Sequence, residues 1–334
     1  MQVLGIDYPN INAKLKGMYA KKLSEEDLKD LVKQSNLKSA VLLLKTKNEA
    51  FKQVDEDIDR IEIGSLLEKS QIEEIKQIMR LLSTKDQENF HRFLLQYEIK
   101  CVKSIFRKLF SDDKTSDIVV QNVKMWTNSL FYDIKGIETV RNFDEFFMAI
   151  KRMKYSDIFK KYQEKPNIPI FEVENELDKF YFEEMFDRAT SNPKFKKIIG
   201  SEIDLLNVLW IYRIKKYYKF ENTKIEEILI RRRYKLNNDR IKKLIECNSF
   251  DEIKDIMSKT VYKEVFTNEY DFEQNIHKYL YNVNKKIFRE DITSNAFIYA
   301  YINLLDYENN DIINTIEGIR YNMDKNEILK RLVR

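Results

Sequence analysis

Glycine and proline are scarce in this chain, six and four in 334 residues. Strands and turns use both as punctuation, and helix interiors exclude both. Their shortage predicts an all-α protein with short polar connections. Cysteine is scarcer still. Cys101 and Cys247 stand far apart, which excludes a disulfide framework or a thiolate metal site and fits a reduced, cytoplasmic setting. No apolar run approaches the roughly 20 residues of a membrane span. The opening M-Q-V-L-G-I-D-Y lacks the basic flank and apolar core of a signal peptide. His91 and His277 are the two histidines, and neither has a second histidine at ligand spacing. Neither G-x-x-x-x-G-K nor G-x-G-x-x-G occurs, so no phosphate cradle is recognisable. Catalytic, cofactor and metal residues are therefore all expected to be none.

What the chain does contain is bulk and balanced charge. Hydrophobic residues make up 43% and aromatics 13%, enough for a globular chain that buries roughly 75% of its unfolded surface. Charged residues reach 34%, with 59 Lys+Arg against 55 Asp+Glu. A net charge of +4 is too mild to call for a nucleic-acid partner. Basic clusters at Arg231-Arg232-Arg233, Lys215-Lys216 and Lys285-Lys286 are offset by abundant acid. They fit solvated helix faces or a docking surface for an acidic partner. Trp126 and Trp210 lie in apolar helical patterns and read as core.

The chain also repeats itself. Phe143-Asp-Glu, Tyr155 and Phe159 recur as Phe250-Asp-Glu, Tyr262 and Phe266, an offset of 107 from Phe143 to Phe250. A second block, Glu174-x-x-Leu177-x-Lys179, recurs at Glu273-x-x-Ile276-x-Lys278. A third runs from Asp204 to Tyr217 and again from Glu308 to Tyr321, with a base (Lys216, Arg320) before each tyrosine. A degenerate first copy is visible in Asn36-Leu37 through Leu44, in Phe51, and in the block Gln96 to Phe106 with Glu98 as its acid. Such a period is too long for a solenoid and predicts about three copies of a small helical domain, over 1–112, 113–220 and 221–334. The segment from Asn12 to Leu28 looks like a displaced third-block tail, so the first helix is expected to complete a neighbouring repeat.

Helix starts are legible. Asn142-Phe-Asp-Glu145, Ser249-Phe-Asp-Glu252 and Asp324-Lys-Asn-Glu327 have capping-box spacing, and Ser24-Glu-Glu-Asp27 is a weaker relative. Connections are expected at 111–117, which is polar and acidic, and at Pro166-Asn-Ile-Pro169, where two prolines stop a helix.

Three stretches in this order resemble the C subunits of the V-type (A-type) rotary ATPases, or ATP synthases, which are the counterparts of the eukaryotic V-ATPase d subunits. They are Tyr8-P-N-I-N-A-K-L-K-G-M-Y-A-K-K-L-S-E-E-D-Leu28, Asp204 to Tyr218 with Ile225-E-E-I-L-Ile230 and Tyr234-Lys-Leu236, and Ile312 to Ile328. The chain departs from the family pattern at Cys101 and Asp311, where an asparagine like Asn207 is usual. It departs again at Arg231-Arg232-Arg233, where a proline or glycine is usual. The resemblance implies three similar helical domains around a pseudo-threefold axis, forming a funnel-like collar. It also implies a non-catalytic subunit, one copy per complex, peripheral on the cytoplasmic face of the membrane. Its partners would be the central shaft and the membrane rotor ring, coupling ATP chemistry to ion transport. A helical, glycine-poor protein suits a stiff torque adaptor. The rival reading is a soluble helical scaffold unrelated to rotary ATPases. On the first reading Lys216 and Arg320, at matched positions, are candidate partner contacts, with Arg213 one turn earlier and Lys16 on the looser N-terminal match. The same four residues also fit a solvated outer face.

Overall fold

The computed structural model describes residues 8–110, 116–163, 169–218 and 220–334. Helices account for the regular structure of these residues, and no strand occurs among them. In chain order the helices begin with α1 (Tyr8–Tyr19), α2 (Glu25–Val32), α3 (Leu37–Lys47), α4 (Arg60–Arg80), α5 (Thr84–His91) and α6 (Leu95–Phe110). They continue with α7 (Ser116–Ser129), α8 (Phe143–Ile150), α9 (Asp157–Lys160), α10 (Ile170–Arg188), α11 (Pro193–Tyr217) and α12 (Asn222–Ile228). The remaining helices are α13 (Asn238–Glu246), α14 (Phe250–Ser258), α15 (Phe272–Glu290), α16 (Ala296–Arg320) and α17 (Lys325–Arg331). The expected connection at 111–117 lies outside the described residues except for Ser116 and Asp117, which already belong to α7. Of the break expected at Pro166–Pro169, residues 166–168 fall outside them as well, and Pro169 directly precedes α10.

The helix caps differ from the expectation in an instructive way. Asn142 and Ser249 do accept hydrogen bonds from the N–H groups of Glu145 (2.9 Å) and Glu252 (3.3 Å). Neither glutamate returns to the N-cap backbone. Each reaches one residue further back, to the N–H of Arg141 (2.9 Å) or Asn248 (3.0 Å). Asp324 accepts from Asn326, not from Glu327. Complete reciprocal boxes form at Ser24/Asp27 (2.9 and 3.1 Å), Asn36/Ser39 (3.3 and 2.9 Å) and Asp59/Glu62 (3.0 and 2.8 Å). At the start of α4 a glutamate does close the box, Glu62 accepting from the Asp59 N–H at 3.0 Å, so the reach at Arg141 and Asn248 is a property of those two helix starts. That reach is the same at both, again 107 residues apart.

The chain packs as two compact units. One is Ser65–Met185, and the other joins Met1–Gly64 to Phe186–Arg334. In the first unit, α6 carries the core. Fully buried Phe106 packs against Phe146 (5.6 Å between ring centres) and Phe159 (5.3 Å). Trp126 of α7 is buried and stacks on Tyr97 of α6 at 4.8 Å, so it is a core residue as read.

The second unit holds two sets of packed helices. In one, α11 packs with α12 to α15 around a continuous apolar core that includes Val208, Ile211, Met257, Phe266 and Phe272. Each aromatic buried there stabilises the unit by roughly 2–3 kcal/mol. Trp210 lies partly buried against this core. In the other set, α16 packs against α1, α2, α3, α15 and α17. Asn12 of α1 donates to the Asp291 carbonyl after α15 (3.1 Å), and the Leu23 N–H donates to Glu308 of α16 (2.9 Å). The N-terminal helices are thus built into the same core as the C-terminal ones.

Candidate functional site

The three acids of the repeated third block all lie on long helices, Glu98 on α6, Asp204 on α11 and Glu308 on α16. The Tyr155 hydroxyl donates to Glu98 at 2.8 Å, and the Tyr262 hydroxyl donates to Asp204 at 2.9 Å. Those tyrosines are the matched pair of the sequence repeat. The corresponding place in the first copy, four residues before Phe51, is Lys47, which instead pairs with Asp27 at 2.8 Å. Glu308 consequently takes the Leu23 N–H and a looser contact with Lys22 at 3.7 Å. Burial pushes the carboxyls of Glu98 and Asp204 above the usual carboxylate range, and the hydrogen bonds each receives oppose this.

Asp204 anchors a segment as well as a tyrosine. Its carboxylate accepts from the N–H groups of Tyr234 (3.1 Å), Lys235 (2.6 Å) and Leu236 (3.1 Å). Asn207, one turn on, brackets Ile230 by donating to its carbonyl (3.1 Å) and accepting from its N–H (2.9 Å). Gly200 lets this segment lie against α11, because a Cβ there would sit 2.5 Å from the Tyr234 ring. At the matched place on α16, Asp311 accepts from the Val333 N–H and from Arg334, each at 3.0 Å.

Arg213 and Lys216 lie one turn apart near the end of α11 and face the start of α15. Arg213 forms a two-pronged pair with Glu273, at 3.0 and 2.6 Å. Lys216 donates to Glu269 (2.8 Å) and to the Tyr212 hydroxyl (2.6 Å). The Glu269 carboxylate, and next the Tyr212 hydroxyl, hold the Lys216 ammonium above its ordinary pKa. Lys216 in turn holds Glu269 below the ordinary range. The geometry recurs at Arg107 of α6, which forms the same two-pronged pair with Glu174 at 2.8 and 2.7 Å. On α16 the charges are exchanged: Glu317 stands at the place of Arg213 and pairs with Arg60 of α4 at 2.5 Å.

The other two candidates are placed elsewhere. Arg320 has Glu317 at 3.8 Å and lies 5.5 Å from the Tyr321 ring centre. Lys16 donates to the Arg289 carbonyl at 3.4 Å, at the end of α15. The structure therefore brings Arg213 and Lys216 into one cluster and leaves Lys16 and Arg320 outside it. Sequence reasoning missed the partners Glu269, Glu273 and Tyr212. The Glu174/Glu273 match was legible as a repeat, but nothing in it indicated an arginine.

Beside this cluster, the start of α14 and the loop before α15 enclose a cleft of about 310 Å³, lined among others by Phe250, Lys254, Asn268, Glu269 and Tyr270. Of its lining, Glu269 is engaged by Tyr212 and Lys216 of the neighbouring cluster. Of the basic run at 231–233, Arg232 makes a two-pronged pair with Asp187 at 2.7 and 2.6 Å, and Arg233 donates to the backbone carbonyl of Ile230. Among the described residues no three His, Cys, Asp or Glu side chains converge as metal ligands. No described helix is long and apolar enough to cross a membrane.

Curated relatives that are C subunits of A-type ATP synthases resemble this chain at low identity. The protein from Methanosarcina mazei is 21% identical over 180 residues, 52% of this chain and 48% of the relative. That from Thermococcus onnurineus is 22% identical over 224 residues, 62% and 56% respectively. That from a Desulfurococcus species is 21% identical over 217 residues, 63% and 57%. The chain spans about half the length of the curated relatives it matches. The model of the ATP synthase (C/AC39) subunit family runs over residues 11–331, through all three acid-bearing helices. With a match over nearly its whole length, the chain belongs to the ATP synthase (C/AC39) subunit family.

Proposed function

We propose that this protein is a non-catalytic coupling subunit of a V/A-type rotary ATPase, joining the central shaft to the membrane rotor ring. It sits in one copy on the cytoplasmic face and passes torque between ATP chemistry and ion transport. The observation that carries this reading is the recurrence of one contact pattern on α6, α11 and α16. An acid, half-buried at Glu98 and buried at Asp204, takes a tyrosine hydroxyl on the first two helices. Two or three turns later comes an ion pair to the start of another long helix, on all three. Copies over 1–112, 113–220 and 221–334 would place these helices equivalently around an axis, a surface on which a shaft or ring docks. A further support is that α11 and α16 meet near their N-terminal ends through Phe195 and Tyr299, at 4.9 Å. Lys16, Arg213, Lys216 and Arg320 are the proposed polar contacts. The ion pairs at Arg213 and Lys216 brace the surface as well as marking it.

The test is a tagged pull-down from gently solubilised membranes, with partners identified by mass spectrometry. Rotor-ring and shaft subunits are expected. Recovery of neither, from membranes that contain the intact ATPase, overturns the reading. Charge reversal at Lys216 and Arg320 together is expected to weaken that recovery. Unchanged recovery removes those two as contacts.

A further inference from the structure

Each copy of the repeat gives its acid to the next copy. Glu98 of the first takes the Tyr155 hydroxyl of the second, and Asp204 of the second takes the Tyr262 hydroxyl of the third. Glu308 of the third returns to the first, where it takes the Leu23 N–H. The ion pairs run the same way, from Arg107 to Glu174, from Arg213 to Glu273 and from Glu317 to Arg60. A linear chain thus makes a closed cycle of contacts. Beside α11 the handover is covalent. The chain leaves α12 at extended Leu229, Asn207 takes the Ile230 N–H, and Asp204 takes that of Leu236, which precedes the N-cap Asn237 of α13. Beside α16 the same stations recur in two pieces. The chain leaves α17 at extended Leu332, and Asp311 takes the Val333 N–H. Glu308 then takes the N–H of Leu23, which precedes the N-cap Ser24 of α2. Packing agrees with this match: α2 lies against α16, α17 and α3, as α13 lies against α11, α12 and α14.

Between Val333 and Leu23 the chain is not continuous, and Arg334 spans the gap. Its side chain is 4% exposed and donates to Asp311 at 3.0 Å and to the Leu23 carbonyl at 2.8 Å. We infer that Glu308, Asp311 and Arg334 form a latch over a non-covalent seam, which opens before the matched region around α11 and releases α2 and α3 from α16. Two differences make the seam the weaker place. Beside α11 a broken hydrogen bond re-forms at the high effective concentration that a short continuous segment gives, whereas at the seam two separate pieces must meet again. The tyrosine bond is also missing there, because Lys47 stands in its place and pairs with Asp27. Elements held by fewer contacts open first, in contiguous cooperative units. Opening would uncover the buried apolar residues Leu28 and Leu31 of α2 and Val41 and Leu44 of α3. The latch goes beyond the subunit reading and does not depend on it.

Hydrogen exchange of the full chain, followed by mass spectrometry, tests the latch. After correction for intrinsic rates, the slowest amides of α2 and α3 are expected to exchange at least about tenfold faster than those of α13 and α14. Ordinary fraying of an N-terminal segment would do the same, so the decisive substitution lies far along the chain. Arg334→Ala is expected to speed α2 and α3 about tenfold further and to leave α13 and α14 within about twofold. Arg334→Lys keeps a cation beside Asp311 but gives up the fork that also reaches Leu23, so about threefold is expected. It takes the place of the alanine variant if that chain does not fold. Selective acceleration of α2 and α3 supports the latch. Equal protection of the two helix pairs in the wild-type chain, equal acceleration of both pairs, or unchanged α2 and α3 after substitution overturns it.

Discussion

The helices α6 and α11 have the same block of sequence, yet they use its acid differently. Glu98 on α6 takes the Tyr155 hydroxyl. Asp204 on α11 takes the equivalent Tyr262 hydroxyl and three consecutive backbone N–H groups as well. The difference follows from the residue three positions on. Asn207 can donate and accept at once, so it holds Ile230 and brings residues 234–236 within reach of Asp204. At the corresponding place α6 has Cys101, a buried thiol that cannot bracket a peptide. There α7 packs along α6 as a helix instead. One acid therefore closes a tyrosine contact, and the other is also the anchor of a connecting segment.

Removing the acid should separate the two regions most clearly. Asp204→Ala leaves three N–H groups and a hydroxyl unsatisfied, and is expected to cost about 3–5 kcal/mol in urea unfolding. Glu98→Ala strands one hydroxyl and should cost about 1–2 kcal/mol beyond its lost packing. Equal losses would mean that the segment 230–236 is held without Asp204. Next in size, Cys101→Asn gives α6 the asparagine of α11 with no peptide to bracket. Burying an unpaired amide should cost about 1–3 kcal/mol. A neutral result would show that α6 can recruit a segment after all. Tyr155→Phe and Tyr262→Phe should reverse the first order. Glu98 then loses its tyrosine donor, whereas Asp204 keeps three N–H groups, so the expected costs are about 1–2 and about 1 kcal/mol, measured in the same way.

The smallest effect concerns pH. Two residues before Asp204, α11 has partly buried Glu202, whereas α6 has Gln96 at the matched place. Burial first, and Asp306 second, push the Glu202 carboxyl up to about 7. The folded state then holds a proton that the unfolded chain releases near its ordinary value of 4.5. Stability should therefore fall as pH rises from about 4.5 to 7, by about 1–2 kcal/mol, because water at this partly exposed carboxyl screens the roughly 3 kcal/mol that the full shift would give. Glu202→Gln, which makes α11 resemble α6, should flatten that slope in unfolding curves taken across the range. A slope that persists would assign the effect to another group.

Much of this was legible in the residues. The shortage of glycine and proline set the all-α class, because backbone preference is local. The repeat marked Glu98, Asp204, Tyr155 and Tyr262, and those residues meet in space as matched pairs. The caps were legible only in part. The spacing located the N-caps at Asn142 and Ser249, but the path of the chain into each helix decided which N–H the glutamate reaches, the preceding residue at Glu145 and Glu252 and the N-cap itself at Glu62.

Periodicity, capping chemistry and composition act within a few residues, so the sequence by itself determined the helices, their starts and the matched positions along them. It also determined, through Asn207 against Cys101, which acid can hold a peptide. Only the tertiary structure decided the partners. Arg213 meets Glu273 across 60 residues, and Leu23 meets Glu308 across 285. Such pairs depend on which helix ends converge when the apolar faces are buried, and burial is non-directional. A sequence pattern therefore specifies which face of a helix turns inward, and packing decides which charge waits at its end.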